Sequence, residues 1–371
     1  MTTKKKLHVA LIFGGRSGEH EVSLMSARSV VSVLDPAKYD VTLIGITLEG
    51  KWVTGEDVLG KLERGKPNGL EQVVVAPDPS EAGVYVLRDK KLEKLCDIDV
   101  YFPLLHGTFG EDGTIQGLLE MADAAYVGAG VLGSSVGMDK ALFKDILRIH
   151  EIPSVASVLL LRSQIQKDLN AAVAKAEKVG AYPLFTKPAN LGSSVGITKC
   201  RSRSDLEEGL MEASRFDRRV LVEKGVANAR EIEVSVLGNE DPRASVPGEI
   251  LPSREFYSYE AKYIDGTSGL IIPAPLPPET TQRIRELAVR AYKAIDAAGM
   301  ARVDFFIDKD TGEVYLNELN TIPGFTKISM YPKLWEATGI SYTELVDRLI
   351  ELALQRKGER DRTSHSYRSQ G

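Results

Sequence analysis

The sequence predicts a mixed α/β protein, an open α/β layer followed by α+β segments, and three observations carry that expectation. The run 9–13 (VALIF) is continuously apolar and ends in Gly14-Gly15, with Leu24, Ala27, Val31 and Leu34 at helical spacing behind it. That reads as a buried strand, a tight turn and a helix with one inner face. The runs 41–46 (VTLIGI) and 100–105 (VYFPLL) repeat the buried-strand pattern. Towards the other end, 301–307 (ARVDFFI) and 314–319 (VYLNEL) flank the polar turn 308–313, an antiparallel hairpin. A chain of 371 residues exceeds one typical core, so two or three domains are expected.

Composition narrows the classes. A hydrophobic content of 43% with 27% charged residues is that of a soluble globular protein. The net charge of −5, without a dense basic stripe, argues against nucleic acid as a partner. Cys96 and Cys200 are far apart and lack metal-ligand spacing, so they read as reduced thiols of a cytoplasmic protein. Lys4-Lys5-Lys6 precedes an apolar run too short for a signal peptide, and no segment reaches the length of a membrane span.

The first helix begins near Gly18-Glu19-His20-Glu21. Its two carboxylates either complement the helix dipole, or one of them faces a cleft and holds a cation such as a substrate ammonium. The loop 106–113 (HGTFGEDG) follows a buried strand. Its glycines let backbone approach a ligand closely, or make a surface turn with a satisfied His106. Helices are expected over 139–150, stopping before Pro153, and over 168–179. A strand at 182–187 feeds the small-residue loop 188–196 and returns at 197–200. Gly192-Ser193-Ser194-Val195-Gly196, with Lys187 just before it, can fold donors over phosphates, yet residues 133–137 repeat the same five letters, so the pattern proves little. Ser204-Asp205-Leu206-Glu207 reads as a capping box, 220–224 and 231–237 as strands. The aromatic-rich stretch 256–263 (FYSYEAKY) fits neither period and reads as a lid. A helix over 280–298 is capped by Gly299, a last helix spans 342–354, and the Arg- and Ser-rich tail from 356 to 371 is expected to be disordered.

The hairpin carries the strongest chemistry. Paired about Thr311, Asp304 falls opposite Glu318, Arg302 shares the face of Asp304, and Asn320 continues the face of Glu318. Two carboxylates and an amide suit Mg²⁺ carrying a nucleotide's phosphates, and Arg302 offers a forked donor for an oxyanion. A polar cluster on a solvated sheet is the competing reading. No G-x-x-x-x-G-K-[ST] loop, no second zinc-protease His and no Ser-His-Asp order is present.

Taken in order, Phe13-Gly14-Gly15…His20-Glu21-Val22-Ser23-Leu24, His106-Gly107…Gly110-Glu111-Asp112-Gly113, Met138-Asp139-Lys140, Lys187-Pro188-Ala189-Asn190…Gly196, Tyr257…Tyr259…Lys262-Tyr263, Arg302-Val303-Asp304 and Glu318…Asn320-Thr321…Pro323-Gly324 resemble the D-alanine–D-alanine ligases of the ATP-grasp superfamily. The resemblance runs from about Val9 to Leu354. It implies a three-domain ATP-grasp architecture with an N-terminal substrate-binding α/β domain (1–128), two α+β domains clasping ATP (129–223 and 224–356) and the tail (357–371). It implies ATP as substrate, two Mg²⁺ ions with Mn²⁺ able to substitute, D-alanine at both subsites, and a cytoplasmic homodimer without membrane or nucleic-acid partners. By resemblance, Glu21 with His106 holds the first ammonium, and Glu21, Ser193 and Tyr263 form a triad that closes the lid. Asp304, Glu318 and Asn320 carry the metal, while Arg302 and the Gly324 N–H stabilise the oxyanion. Lys140, Lys187 and Lys262 meet the phosphates beneath the loop of Ser193, Ser194 and Val195. Glu223, Lys224 and Val226 face adenine, Glu231 the ribose, and Ser329 with the Met330 N–H the second carboxylate. Tyr263 in an intact lid favours D-alanine over D-lactate as second substrate. Thr186 departs from the apolar residue usual beside the Lys, which bears on packing, and the variable link 225–230 weakens the placement of Glu231. Another carboxylate–amine ligase of the same fold and a nucleotide sensor that does no chemistry are the rival readings.

Overall fold

The apolar run at 9–13 is continuous because its strand is covered on both faces. In the computed structural model, which describes residues 5–192, 195–251 and 269–364, β1 (Leu7–Gly14) lies between two cores. Val9, Leu11 and Phe13 enter one and Ala10 and Ile12 the other, all fully buried. α1 (His20–Val31) packs on the first of these faces through Leu24, Ala27 and Val30. Val31, expected on the inner face, ends the helix and is exposed. β2 (Tyr39–Ile46) pairs with β1 in parallel. From it the sheet continues antiparallel through β3 (Trp52–Thr54), β4 (Glu71–Val75), β5 (Val84–Arg88) and β6 (Lys91–Cys96), with α2 (Val58–Glu63) between β3 and β4. The sequence reading did not anticipate this extension. β6 is mostly exposed and carries lysines, the composition of a guarded edge.

β7 (Val100–Pro103) pairs with the other side of β1, again in parallel. The order β2-β1-β7 therefore places a topological switch between β1 and β7, and a crevice opens beyond their carboxyl ends. α3 (Thr114–Met121) covers the second face of this sheet. α4 (Val131–Met138) and α5 (Lys140–Ile149) follow. Their side chains Val136, Phe143 and Leu147 enter the core of the third sheet, although the chain has still to form the second.

That second sheet combines β8 (Ser157–Leu161), β9 (Leu184–Pro188), β10 (Thr198–Cys200) and β11 (Arg219–Lys224) in the order β10-β9-β11-β8. α6 (Arg162–Lys167), α7 (Leu169–Ala176) and α8 (Arg203–Phe216) close its core. The cap of α8 is Ser202, whose Oγ accepts from the Asp205 N–H at 3.2 Å, and not Ser204 as expected, because the helix starts one residue before Ser204.

The third sheet runs β15-β14-β12-β16-β17: β12 (Ala229–Gly238), with the short β13 (Arg243–Ala244) beside it, β14 (Gly248–Leu251), β15 (Gly269–Ile271), β16 (Gly299–Asp308) and β17 (Val314–Asn320). α9 (Pro278–Ala294) covers it. It stops short of the expected 298, and Gly299 instead opens β16 at φ 71°. The lid stretch with Lys262 and Tyr263 lies outside the described residues.

α10 (Met330–Ala337) and α11 (Tyr342–Arg360) return the chain to the first sheet. Leu345, Val346, Leu349, Ile350 and Ala353 of α11 are buried in the same core as Val9 and Phe102. Phe325 joins the two ends, its ring 6.1 Å from Phe102 edge-on and 5.6 Å from Tyr342. The expected disorder is corrected for 356–360, where α11 continues to Arg360, and residues 365–371 lie outside the described residues. Composition misled here because the partners are remote in sequence. Arg360 reaches Glu120 at 2.6 Å, Asp123 at 3.2 Å and the Ala124 carbonyl at 3.0 Å, while Arg356 stacks 4.1 Å over the Tyr126 ring. Arg360→Ala is expected to cost about 1–2 kcal/mol, a fall of a few degrees in melting temperature, which thermal denaturation would read.

Candidate active site

Five segments converge on one crevice: the turn after β1, the loop after β7, the start of α5, the loop after β9 and the segment after β17. Its walls include Glu19, His106, Glu111, Lys140, Gly192, Arg302, Glu318, Asn320 and Gly324. Among the described residues no helix is long and apolar enough to cross a membrane. Nor is any group of three His, Cys, Asp or Glu side chains arranged to hold a metal by itself.

Gly14 and Gly15, at φ 89° and 104°, turn the chain sharply, and a Cβ on Gly14 would stand 2.2 Å from the Ile46 carbonyl oxygen. The turn delivers Glu19 into the crevice, where it is 9% exposed. Its carboxylate is hemmed in by glycines, since a Cβ on Gly107 or Gly192 would approach Oε2 to 2.4 or 2.8 Å. Glu21 is exposed and outside the crevice. The assignment of the cleft carboxylate to Glu21 is therefore corrected to Glu19. α1 begins at His20, so position 19 still belongs to the turn, and position 21 falls on the solvent stripe with Met25 and Arg28.

His106 is 3% exposed and both ring nitrogens are engaged. The Ile322 carbonyl can only accept, so Nδ1 carries the ring proton, and Nε2 accepts at 2.9 Å from the Ser26 hydroxyl, which itself accepts from the Phe325 N–H at 3.2 Å. Nδ1–H then donates to the Ile322 carbonyl at 2.9 Å. This is the neutral ring, and burial pushes its pKa below the ordinary value, with Glu19 opposing. Glu111, in the same loop as His106, ties that loop to the segment after β17. Its two oxygens accept from the Gly107 N–H at 2.8 Å and the Ile322 N–H at 3.1 Å. Burial first, and the nearby Glu19 second, push its pKa up to about 8. The folded chain thus keeps a proton that an unfolded chain releases near pH 4.5. This contribution to stability is full below that pH and is lost as pH rises through about 8. The melting temperature of Glu111→Gln, relative to wild type, is therefore expected to rise between pH 5 and pH 9, and a constant difference would contradict it.

On the third sheet the hairpin register places Asp304 opposite Glu318 and Arg302 opposite Asn320. Beyond Asp304 the pairing shifts to Phe305 with Leu316, leaving Asn317 as the extra residue of a bulge. Glu233 of β12, which sequence reasoning missed, stands opposite Asp304 on the other side. Three carboxylates therefore form one row across three strands. Arg302 grips Asp304 with two bonds, Nε to Oδ1 at 2.7 Å and a terminal nitrogen to Oδ2 at 2.6 Å, and also lies 3.1 Å from Glu233 Oε2. Asn320 Nδ2 donates to Asp304 Oδ2 at 3.3 Å. The only early signal for Glu233 was its place two residues beyond Glu231, on the same strand face.

Asp139 caps α5 through the Ala141 and Leu142 N–H groups and is held by Arg219, which aims Lys140 into the crevice. Lys140 Nζ donates to the Leu191 carbonyl at 2.8 Å and lies 3.8 Å from Glu318. Behind it, Glu223 is buried between Lys187 at 2.6 Å and Lys144 at 2.9 Å. Burial opposes its charge, but Lys144 and then Lys187 outweigh that and hold its pKa down to about 2. Lys224 is exposed at the end of β11, Val226 half-buried in the following link and Glu231 half-buried on β12. Val195 is exposed beside Gly196, while Ser193 and Ser194 lie outside the described residues. Ser329 and Met330 do not line the crevice: the Ser329 hydroxyl meets Thr326 Oγ1 at 2.8 Å, and the Met330 side chain packs with Ile250 and Leu334.

The donors on the hairpin suit Mg²⁺ in kind. Mg²⁺ is commonly held by one or two carboxylates together with substrate phosphates, and the hairpin offers the carboxylates of that donor set.

The chain matches the D-ala D-ala ligase N-terminus over residues 8–129 and the D-ala D-ala ligase C-terminus over 146–351. It is 52% identical over 361 residues to the D-alanine--D-alanine ligase of Thermoanaerobacter sp. (strain X514), covering 96% of this chain and 99% of that protein. With the D-alanine--D-alanine ligase of Natranaerobius thermophilus the identity is 49% over 364 residues, covering 98% and 99%. Among solved structures, the D-alanine-D-alanine ligase from Coxiella burnetii superposes with a TM-score of 0.80 at 36% identity, covering 96% and 97% of the two chains. The VanG D-Ala:D-Ser ligase from Enterococcus faecalis superposes at 0.84 with 36% identity, covering 94% and 100%. The architecture is the ATP-grasp fold that the motifs implied. Likeness of this extent, in both halves and in the same order, goes well beyond a shared fold: the chain belongs to the D-alanine–D-alanine ligase family.

Proposed function

We propose that this chain joins two D-alanines in an ATP-dependent reaction, releasing ADP and phosphate, and so supplies D-alanyl-D-alanine for peptidoglycan precursors. One observation carries the reading: Arg302 and Glu318, which flank Asp304 in the row Glu233–Asp304–Glu318, line the same crevice as the separate carboxylate of Glu19. One charge set suits phosphates and the other suits an ammonium.

A carboxylate is a poor electrophile, so the first D-alanine is activated as its acyl phosphate. Glu19 holds the ammonium of that D-alanine with a carboxylate that Gly107 and Gly192 leave room for. His106 and Glu111 keep loop and crevice floor stapled together so that the carboxylate end points towards Arg302. Lys140 and Lys187 bind the phosphates, under the loop of Ser193, Ser194 and Val195, with Lys262 from the lid. Asp304, Glu318 and Asn320 would hold Mg²⁺, read here as two ions replaceable by Mn²⁺, which when bound neutralises charge on the transferred phosphoryl group. The second amine attacks the acyl carbon, and Arg302 with the Gly324 N–H receives the developing oxyanion before phosphate leaves. Ser329 and the Met330 N–H, at the start of α10, take the second carboxylate. Glu223, Lys224 and Val226 border the adenine and Glu231 the ribose. In the lid triad Glu19 replaces Glu21 as the partner of Ser193 and Tyr263, because Gly192 already lies against it. A cytoplasmic homodimer completes the reading.

The test is to identify the product by mass spectrometry after reaction with ATP, Mg²⁺ and D-alanine, alone and in competition with D-serine or D-lactate. D-alanyl-D-alanine should dominate every mixture. Dominance of a mixed dipeptide or a depsipeptide would overturn the second-substrate assignment. No D-alanine-dependent product from protein that binds ATP would favour a nucleotide sensor.

A further inference from the structure

Lys144 is a buried cation to which the reaction just described gives no task. It is 5% exposed and lies one helical turn beyond Lys140 on α5. The two lysines reach different sheets. Lys140 approaches Glu318 on β17, and Lys144 approaches Glu223 on β11. The Glu223 carboxylate is divided between two ammonium groups, Oε1 at 2.9 Å from Lys144 and Oε2 at 2.6 Å from Lys187. Leu221 of β11 pairs with Lys187 of β9, so the contact to Lys187 spans neighbouring strands, whereas the contact to Lys144 comes from a helix outside the sheet. The 2.9 Å contact is a buried ion pair.

This arrangement has a consequence for nucleotide binding. A phosphate that draws the Lys187 ammonium towards itself takes it from Glu223 Oε2. Glu223 is 3% exposed, and a buried carboxylate without a counter-charge is strongly disfavoured. A cation that stays behind removes that obstacle.

We propose that Lys144 is a positioning residue for the nucleotide: it anchors Glu223 through Oε1 and remains its counter-charge, so that Lys187 can be given to a phosphate. The proposal rests on the reading of Lys187 and Glu223 as nucleotide-binding residues.

The test uses the full chain as wild type, Lys144→Met, Lys144→Arg, Glu223→Gln and the Lys144→Met/Glu223→Gln double variant. ADP affinity with Mg²⁺ is measured by calorimetry, alongside KM for D-alanine and melting temperature. Lys144→Met should weaken ADP binding at least about tenfold and change KM for D-alanine less than about twofold, and Lys144→Arg should restore most of the affinity. In the Glu223→Gln background, Lys144→Met should add little, because the charge it balances is gone. Unchanged ADP affinity in Lys144→Met would overturn the proposal. So would an equal loss in both backgrounds, or parallel losses of ADP affinity, D-alanine KM and melting temperature that Lys144→Arg does not rescue. A wild-type chain that binds no ADP would overturn the nucleotide reading itself, which is a different result from a silent Lys144→Met.

Discussion

Asp304→Asn is expected to lower kcat by about a thousandfold, roughly 4 kcal/mol in the barrier, while the melting temperature stays within a few degrees of wild type. Asp304 is the middle carboxylate of the row and is gripped through both oxygens by Arg302. Asparagine keeps the shape but removes the charge and one acceptor, and it turns an amide donor towards a guanidinium that is itself only a donor. Two functions fail together: the donor set for Mg²⁺ loses its central charge, and Arg302 loses the fork that orients it. The fold is spared because Val303 and Phe305, the flanking residues of β16, carry the core contacts. Single-turnover phosphoryl transfer with a melting curve checks this, and a loss smaller than about tenfold would contradict it.

Glu19→Gln should lower kcat/KM for D-alanine by about a hundredfold, near 3 kcal/mol, and Glu21→Gln should change it less than about twofold. The buried carboxylate faces the crevice and the exposed one faces solvent. Removing a charge that meets a substrate ammonium in a dry pocket is costly, while the same change on a solvated helix stripe is nearly silent. Steady-state kinetics on the two variants decides between them, and the opposite ranking would restore Glu21 to the site.

These two carboxylates show what the sequence could and could not give. That one of them faces a cleft was legible from the glycine turn and the helix start. Which one depends on the phase of α1, and a shift of two residues swaps crevice for solvent. The buried face of Val22, Ser23, Ser26, Ala27 and Val30 would have fixed the phase, but the serines hid half of it. The hairpin was legible at its functional end through a compensation: the pairs beside the turn, Ile307–Val314 to Phe305–Leu316, run one residue out of step with a centre at Thr311, and the extra residue Asn317 restores Asp304 opposite Glu318. Glu233 was not legible, since its neighbour β16 lies far along the chain and period-2 spacing on β12 names no partner. The pentapeptide Gly-Ser-Ser-Val-Gly at 133–137 is helical within α4, while two residues of its second copy, Ser193 and Ser194, lie outside the described residues. The tail from 356 read as disorder on composition, yet α11 is fixed by acidic partners more than two hundred residues earlier.

The most direct measurement is the fate of oxygen from D-alanine labelled with ¹⁸O in both carboxylate positions, turned over with ATP and Mg²⁺. Activation as an acyl phosphate moves one carboxylate oxygen into the phosphate that leaves. Inorganic phosphate should therefore appear only when D-alanine is present, and carry one ¹⁸O for each dipeptide formed. Unlabelled phosphate, or phosphate released at the same rate without D-alanine, would contradict the account.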